Sequence, residues 1–455
     1  MVDRVKGTAV RNIKYDNFVH WLRDNDFPEP KLTLANFTNT GRGMMATDDI
    51  EAGEVILSVP KKFLITNESL SKLYGVKHGL SSQQLLALHL LLLKKRQDKS
   101  EESWWKYYID LLPVHFDTMP VKYNQHLIEH LPQSLRLEVE QQKANIQRDY
   151  IACVDFLKSR HSQLPVQTPT TIESEEYEWA WLCVNTRCIH MTRKNNRLDK
   201  GNIALAPMLD FLNHTTEAKV SLQKDTFISC ITSERQRNIL PYQIQSEFNA
   251  KKQSFEIKTL TPYRKGEQVF INYGPHDNLA LLKEYGFVIP ENNCYNFVQL
   301  DHEIWNLYNE VEPTKRGITI KKEILEGSGY YGDYTITEDE ISFRLLAALR
   351  LLAINGTTEP GFDRKVMDWH DVVMGQAEMI STENERKALV MLRTVCEKLS
   401  KQADTELSIL TTFNEDFPDI ESHPFALFFV RHLWNEAKDI LRHALMYITE
   451  KLAEL

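Results

Sequence analysis

The alternation of polar and apolar positions changes period several times along the 455 residues of this chain. From Phe37 to Thr66, "FTNTGRGMMATDDIEAGEVILSVPKKFLIT" alternates β-branched and apolar residues with Gly and Asp turns, the pattern of short strands and hairpins. "SSQQLLALHLLLLKKRQ" (Ser81 to Gln97) is leucine-rich, free of Gly and Pro, and opens on serines able to cap, which predicts a buried helix. A second helix is predicted over Ser134 to Arg160, where Leu135, Val139, Ile146, Tyr150, Val154 and Leu157 recur at spacings of 3, 4 or 7. Between them "SWWKYYIDLLP" (Ser103 to Pro113) concentrates aromatics where basic residues are sparse, and reads as a core anchor rather than a stacking platform for bases.

The β texture returns from Gly201 to Asn296. "FEIKTLTPYRKGEQVFINYG" (Phe255 to Gly274) alternates around a Pro262 to Gly266 turn and predicts a hairpin. After about Asp301 helices dominate. A capping box at Thr337 and Glu340 precedes an apolar face through Ile341, Leu345, Leu349 and Leu352, closed by Gly356. Thr382 and Glu385 repeat the device before Leu389, Leu392, Cys396 and Leu399, and a long amphipathic helix follows Pro424. The fold class expected is α+β, with a β region split by a helical block and followed by an all-α region.

Charge narrows the partners. Lys+Arg 54 against Asp+Glu 63 leaves a net charge of −9, so there is no global basic field for nucleic acid or anionic lipid, and basic protein segments are the expected partners. No window approaches the roughly 18 apolar residues of a membrane span. "MVDRVKGTAVRNIKYDN" lacks an apolar stretch after its charges, so the expectation is a soluble, intracellular protein, of the cytoplasm, the nucleus or both; separately, it is expected to be monomeric. Six cysteines without a CxxC pair argue against a zinc cluster and a disulfide framework, and no metal is expected.

Polar residues interrupt the apolar texture in "TGRGMMA" (Gly41, Arg42, Gly43), "VNTRCI" (Asn185, Arg187), "DFLNH" (Asp210, Asn213, His214) and "VFINYGPHDN" (Tyr273, Gly274, Asn278). Taken singly, each has a structural reading. G-x-G after a strand is a turn, an Arg in a helix is solvated or paired, Tyr-Gly closes a strand, and Asp, Asn and His at a strand end cap one another. Their order carries more. G-x-G in the first β segment, N-H after a strand in the second, then an apolar strand ending in Tyr-Gly, with helices between, resembles the SET-domain methyltransferases. "WAWLCVNTR", "ALAPMLDFLNH" and "YGPHDNLALLKEYGFV" place the resemblance with the Rubisco large-subunit methyltransferase type, nearest to the SET-domain-containing protein four group.

The resemblance implies an organisation: 1–75, an N-terminal helix and the first half of the SET domain; 76–185, a helical insertion; 186–298, the second half with the active site; 299–455, a helical substrate-binding domain. The acceptor lysine is expected in a cleft between the SET core and that last domain. The resemblance further implies S-adenosyl-L-methionine as cofactor and a lysine of a protein substrate, histone or non-histone, as acceptor. Gly41, Arg42 and Gly43 would approach the methionine part of the cofactor, Arg187 would hold its carboxylate, and Asn213 and His214 would meet its amino group and adenine. Asp210 joins this cofactor set, in agreement with the Rubisco type and unlike the Arg many SET domains carry there. Tyr273 matches the active-site tyrosine, and Tyr285 and Phe287 match aromatic walls of the cofactor and acceptor channel.

A sister subgroup methylates a histidine of actin and carries a polar Asn two residues after the arginine of this motif. Here that position is Ile189, which cannot hydrogen-bond an imidazole, and lysine is favoured. A non-catalytic peptide-binding scaffold is the alternative of another class, opposed by the intact Tyr273, Arg187 and Asn213. The segment Lys224 to Glu247 stands where the family has a short turn; it reads as a substrate-proximal insertion, a surface loop or an unspliced segment.

Overall fold

A computed structural model describes residues 6–98, 103–160, 164, 168–191, 202–216, 245–291, 293–312, 314–356, 361–417 and 423–455. These divide into two units, one of 1–121, 139–275 and 284–286, the other of 122–138, 276–283 and 287–455.

In the first unit the helix Ile13–Asp24 is capped by Asn12, whose side-chain oxygen accepts the Tyr15 N–H at 2.9 Å. It buries Tyr15, Phe18, Trp21 and Leu22, which lie on one helical face. Against it stands a sheet in which Leu32–Phe37 runs antiparallel to Gly41–Ala46, which pairs with Gln268–Ile271, which in turn lies parallel to Asn213–His214. Two further sheets order Val55–Pro60, Ser254–Lys258 and Gln245–Asn249, and Ile65–Thr66, Ile203–Leu205 and Ile189–His190.

The hairpin expected over Phe255 to Gly274 does not form. Its two strands lie in different sheets, because the residues between them bond elsewhere: Ile50 and Tyr263 exchange both backbone hydrogen bonds at 2.9 Å, and Gly53 donates to the Thr259 carbonyl. The buried Tyr263 pins this corner by donating its hydroxyl to the Phe270 carbonyl at 3.3 Å. The segment 224–247 lies outside the described residues up to 244. Its last residues, 245–247, belong to the strand Gln245–Asn249, in regular antiparallel register with Ser254–Lys258.

The helical block behaves as its pattern requires. Ser81 caps Ser82–Asp98 by accepting the Gln84 N–H, and Gln84 reciprocates to the Ser81 N–H. Leu85 to Leu93 are buried on every face of that helix. The aromatic run enters the core through the buried Tyr108, while the exposed Trp104 stands edge-on to Trp21 at 4.9 Å and to Trp105 at 4.6 Å.

In the second unit the long helices Thr382–Asp416 and Pro424–Glu454 pack on Phe343–Leu352 and Asp301–Val311 around Trp369, Leu349, Leu392 and Ile448. Two caps differ from the expected ones. Thr337 does bond the Glu340 N–H, but this closes a turn after the strand Thr335–Ile336, and the helix starts at Phe343 with Ser342 as its cap. Ser381, not Thr382, caps the next helix, and Glu385 makes a bidentate pair with Arg350 at 2.7 and 2.8 Å. In both cases neighbouring Ser and Thr offer the same chemistry, and tertiary pairing decides between them. Pro424 opens its helix as expected. Lys321 is buried; its ammonium donates to the Leu352 and Ile354 carbonyls at 2.9 and 2.5 Å and faces the Tyr308 ring, capping the end of Phe343–Leu352 from the side.

Candidate functional site

The chemistry-bearing residues of the first unit meet around the parallel pair of Asn213–His214 and Gln268–Ile271. Arg187 is the last residue of the helix Ser174–Arg187, where a cation complements the helix dipole, and Cys188 turns the chain into the strand Ile189–His190. Its Nη1 donates to the Asp210 carbonyl and to the Asp210 carboxylate, each at 3.0 Å. Asp210 sits in the turn Leu209–Phe211, entered through Met208 at φ 75°, a conformation a non-glycine residue adopts only when its surroundings impose it. The Asp210 side chain is fully buried and also accepts from the Tyr108 hydroxyl at 2.9 Å.

The electrostatics follow from burial. Desolvation pushes the Asp210 carboxyl up from its ordinary value, opposed by Arg187, by the Tyr108 hydroxyl and by Arg42. Desolvation is the largest influence on the Arg187 guanidinium and would lower it, but Asp210, Tyr108 and Cys183 together outweigh it and hold the cation. The Phe211 ring is flanked by both guanidinium groups, Arg42 at 5.7 Å and Arg187 at 5.8 Å. Arg42 is spaced from the pair by donating to the Leu111 carbonyl at 2.9 Å.

Two residues past Phe211, the amide of Asn213 donates to the Arg42 carbonyl at 3.1 Å. This requires Gly43: a Cβ there would meet Asn213 Nδ2 at 2.8 Å and run into the Gln268 amide. Gly41 meets a different need, a φ of 67° at the start of its strand. His214 accepts the Tyr273 N–H on Nδ1 at 3.0 Å, so in the neutral ring the proton resides on Nε2. The two rings stack at 5.1 Å, and the Tyr285 ring lies 4.9 Å from that of Tyr273. The Tyr273 hydroxyl donates to the Leu212 carbonyl at 2.7 Å. Burial raises both phenols, Tyr285 to about 12 and Tyr273 further, the neighbouring Tyr285 adding to the latter.

Among the described residues, Arg187 Nε, Asp210 Oδ1 and Asn272 Nδ2 are buried without a hydrogen-bond partner. Buried polar atoms are ordinarily satisfied, so these three leave two donors and one acceptor available to a polar ligand. A guanidinium with an unspent donor suits a carboxylate, and the donors fit the amino-acid end of S-adenosylmethionine.

The structure thus joins Arg42, Gly43, Arg187, Asp210, Asn213, His214, Tyr273 and Tyr285 in one network, while Gly41 only starts the strand that carries Arg42 and Gly43. Ile189, two residues past Arg187, pairs with Ala204 and packs partly against the core. Phe287 belongs to the second unit. Asn185 is spent on Glu284, whose carbonyl and carboxylate it reaches at 3.0 Å. Asn278 is a buried hub of the second unit, bonding Ile289, Asn293 and Glu436. Sequence reasoning missed Tyr108 and Asn272. Asn272 was legible, being the polar residue beside Tyr273; Tyr108 was not, because its partner lies 102 positions away.

The chain matches the SET domain family over residues 41–274 and the Ribosomal lysine N-methyltransferase 2 C-terminal domain over residues 296–447. It is 29% identical over 429 residues to SET domain-containing protein 4 of Homo sapiens, covering 93% of this chain and 88% of that protein. It is 28% identical over 341 residues to Ribosomal lysine N-methyltransferase set11 of Schizosaccharomyces pombe, 74% of each. Actin-histidine N-methyltransferase of Xenopus tropicalis is 26% identical over 446 residues, 95% of this chain and 69% of that protein. The solved structure of Rubisco LSMT bound to AdoMet shares the fold with a TM-score of 0.60 at 19% identity, covering 98% of this chain and 93% of that one.

Proposed function

The chain belongs to the SET-domain family, and we propose from this that it is an S-adenosylmethionine-dependent protein-lysine N-methyltransferase whose site is the network around Arg187, Asn213, His214 and Tyr273. The cofactor supplies the methyl group, carried on a sulfonium. The residues of the chain bind, orient and exclude water. Arg187, held by Asp210, presents its unspent Nε to the cofactor carboxylate, and the Asn213 and His214 side chains complete the cradle.

The single observation that carries the acceptor assignment is the pairing of two partly buried phenols, Tyr273 and Tyr285, with ring centroids 4.9 Å apart. A lysine must react as neutral amine, although its free pKa is about 10.4, and neutralising it near pH 7.4 costs roughly 4 kcal/mol. The burial that raises both phenols penalises any charge, and on an amine the same desolvation acts in the helpful direction. Neither phenol ionises near neutral pH, so Tyr273 acts as an orienting oxygen and not as a resting base.

The histidine alternative draws support from the actin-histidine relative. Ile189 speaks for lysine, since an apolar side chain gives an imidazole nothing to bond. The substrate we propose is a basic protein, histone or non-histone, matching the net charge of −9. The test is transfer from labelled S-adenosylmethionine into a cell extract, comparing wild type with Tyr273→Phe and mapping the labelled residues by mass spectrometry. Tyr273-dependent label on lysine supports the reading; label on histidine selects the alternative; cofactor binding without transfer selects the scaffold.

Gly43→Ala probes the cradle. Its Cβ meets the ends of side chains and no backbone, so the fold is expected to lose only about 1 kcal/mol. Displacing Asn213 is expected to weaken S-adenosylmethionine about tenfold, near 1.4 kcal/mol, in calorimetric titration. An unchanged dissociation constant would remove Asn213 from the cofactor site.

A further inference from the structure

The second unit contains a cavity of about 250 Å³, which at about 30 Å³ per water holds roughly eight waters' worth of volume. That is below the usual 300–1,000 Å³ or so of a small-molecule site; it is the size of one long side chain. Leu279, Leu399, Leu433, Leu441 and the Phe297 ring supply apolar walls, and the carboxylates at its edge are Asp301, Glu303 and Glu436. Two of these are spent inside the protein. Asp301 accepts the Tyr334 N–H at 3.0 Å, and Glu436 accepts the amides of Asn278, at 2.7 Å, and Asn296.

Glu303 is different. Half-buried in the first turn of Asp301–Val311, it forms no hydrogen bond or ion pair with the side chain of another described residue, and the cations that act on it, His302 and Lys398, do so without an ion pair. Burial raises its carboxyl above the ordinary range. A partly desolvated carboxylate without an ion-pair partner is a cost that a bound cation reduces. A pocket with apolar walls and one unspent carboxylate is complementary to a side chain with an aliphatic stem and a cationic head.

We propose that this cavity is an anchoring site for an arginine or lysine side chain of the substrate protein, separate from the lysine that is methylated, with Glu303 as the residue that recognises the charge. The proposal rests on the reading of the chain as a protein methyltransferase, and adds a second contact that selects substrates with a basic residue apart from the target. It accords with the acidic balance of the chain.

The probe is n-butylguanidinium, with n-butylurea as its neutral counterpart, titrated into the full chain by ligand-observed NMR. Wild type is expected to prefer butylguanidinium at least tenfold, and Glu303→Gln to abolish the preference while S-adenosylmethionine affinity stays unchanged. Gln402→Trp, which fills the cavity, is expected to abolish binding of both. Equal affinity for the two probes in wild type, or a preference that survives Glu303→Gln, overturns the proposal. No methyl transfer is needed for this readout, so its failure is distinct from a failure of the enzymatic reading, which the Tyr273-dependent labelling decides. With labelling established, Glu303→Gln is expected to raise KM for the labelled protein at least fivefold at unchanged kcat.

Discussion

Tyr273→Phe is expected to lower methyl transfer by about 100-fold or more, the size of effect seen when one preorganised polar group is removed from a reacting centre, and to leave S-adenosylmethionine affinity within about twofold. The geometry separates the two readouts. The ring is fixed independently of the hydroxyl, stacked on His214 at 5.1 Å and flanked by Tyr285 at 4.9 Å, and phenylalanine keeps both contacts. The backbone N–H that sets the His214 tautomer also remains. What disappears is one oxygen, whose proton is committed to the Leu212 carbonyl at 2.7 Å and whose lone pairs are left to accept. The orphaned carbonyl costs about 1 kcal/mol of stability, whereas a 100-fold loss of rate is about 2.7 kcal/mol in the barrier. Single-turnover kinetics beside calorimetric cofactor binding checks this. Equal turnover would remove Tyr273 from the mechanism; a large loss of cofactor affinity would make its hydroxyl a binding group.

The order of motifs along the chain was sufficient for the fold, because each is a local event: a glycine turn, a helix ending in arginine, a short strand carrying N-H. Pairing was less legible. The strands around Pro262 look like a hairpin because their alternation matches and a turn lies between. Nothing in that window reveals that Ile50 and Glu54 will claim the intervening backbone. Helix starts differ because Ser342 and Ser381 offer the same capping chemistry as Thr337 and Thr382, and Glu385 is drawn off to Arg350, 35 residues away.

Within the site, residue types were readable and roles only partly so. The motif groups Asp210 with the cofactor residues. In the structure one carboxylate oxygen is committed to Arg187 and Tyr108, and only Oδ1 is left over. Its larger effect is therefore exerted through Arg187. Tyr108 shows why: an aromatic in a core-anchor run is packing until its hydroxyl finds a carboxylate from another element.

Arg187→Ala is therefore expected to do two separable things. It removes the guanidinium proposed to hold the cofactor carboxylate, so the S-adenosylmethionine dissociation constant should rise at least tenfold, about 1.4 kcal/mol. It also leaves the fully buried Asp210 carboxylate without its cation, and breaking a buried pair from one side costs about 3–5 kcal/mol. A loss of binding in this variant alone would be ambiguous. Replacing the whole unit resolves it: Arg187→Met with Asp210→Leu removes both charges, and Tyr108→Phe removes the hydroxyl that would otherwise lose its acceptor. The triple variant is expected to recover most of the thermal stability, because apolar residues of similar volume replace a buried pair at little cost, while cofactor binding stays lost. Recovery of both stability and affinity would assign the affinity to the shape of the site and withdraw Arg187 as the carboxylate ligand. Recovery of neither would mean that the pair specifies the turn at Met208 to Phe211, and that its contribution to binding runs through the positions of Asn213 and His214.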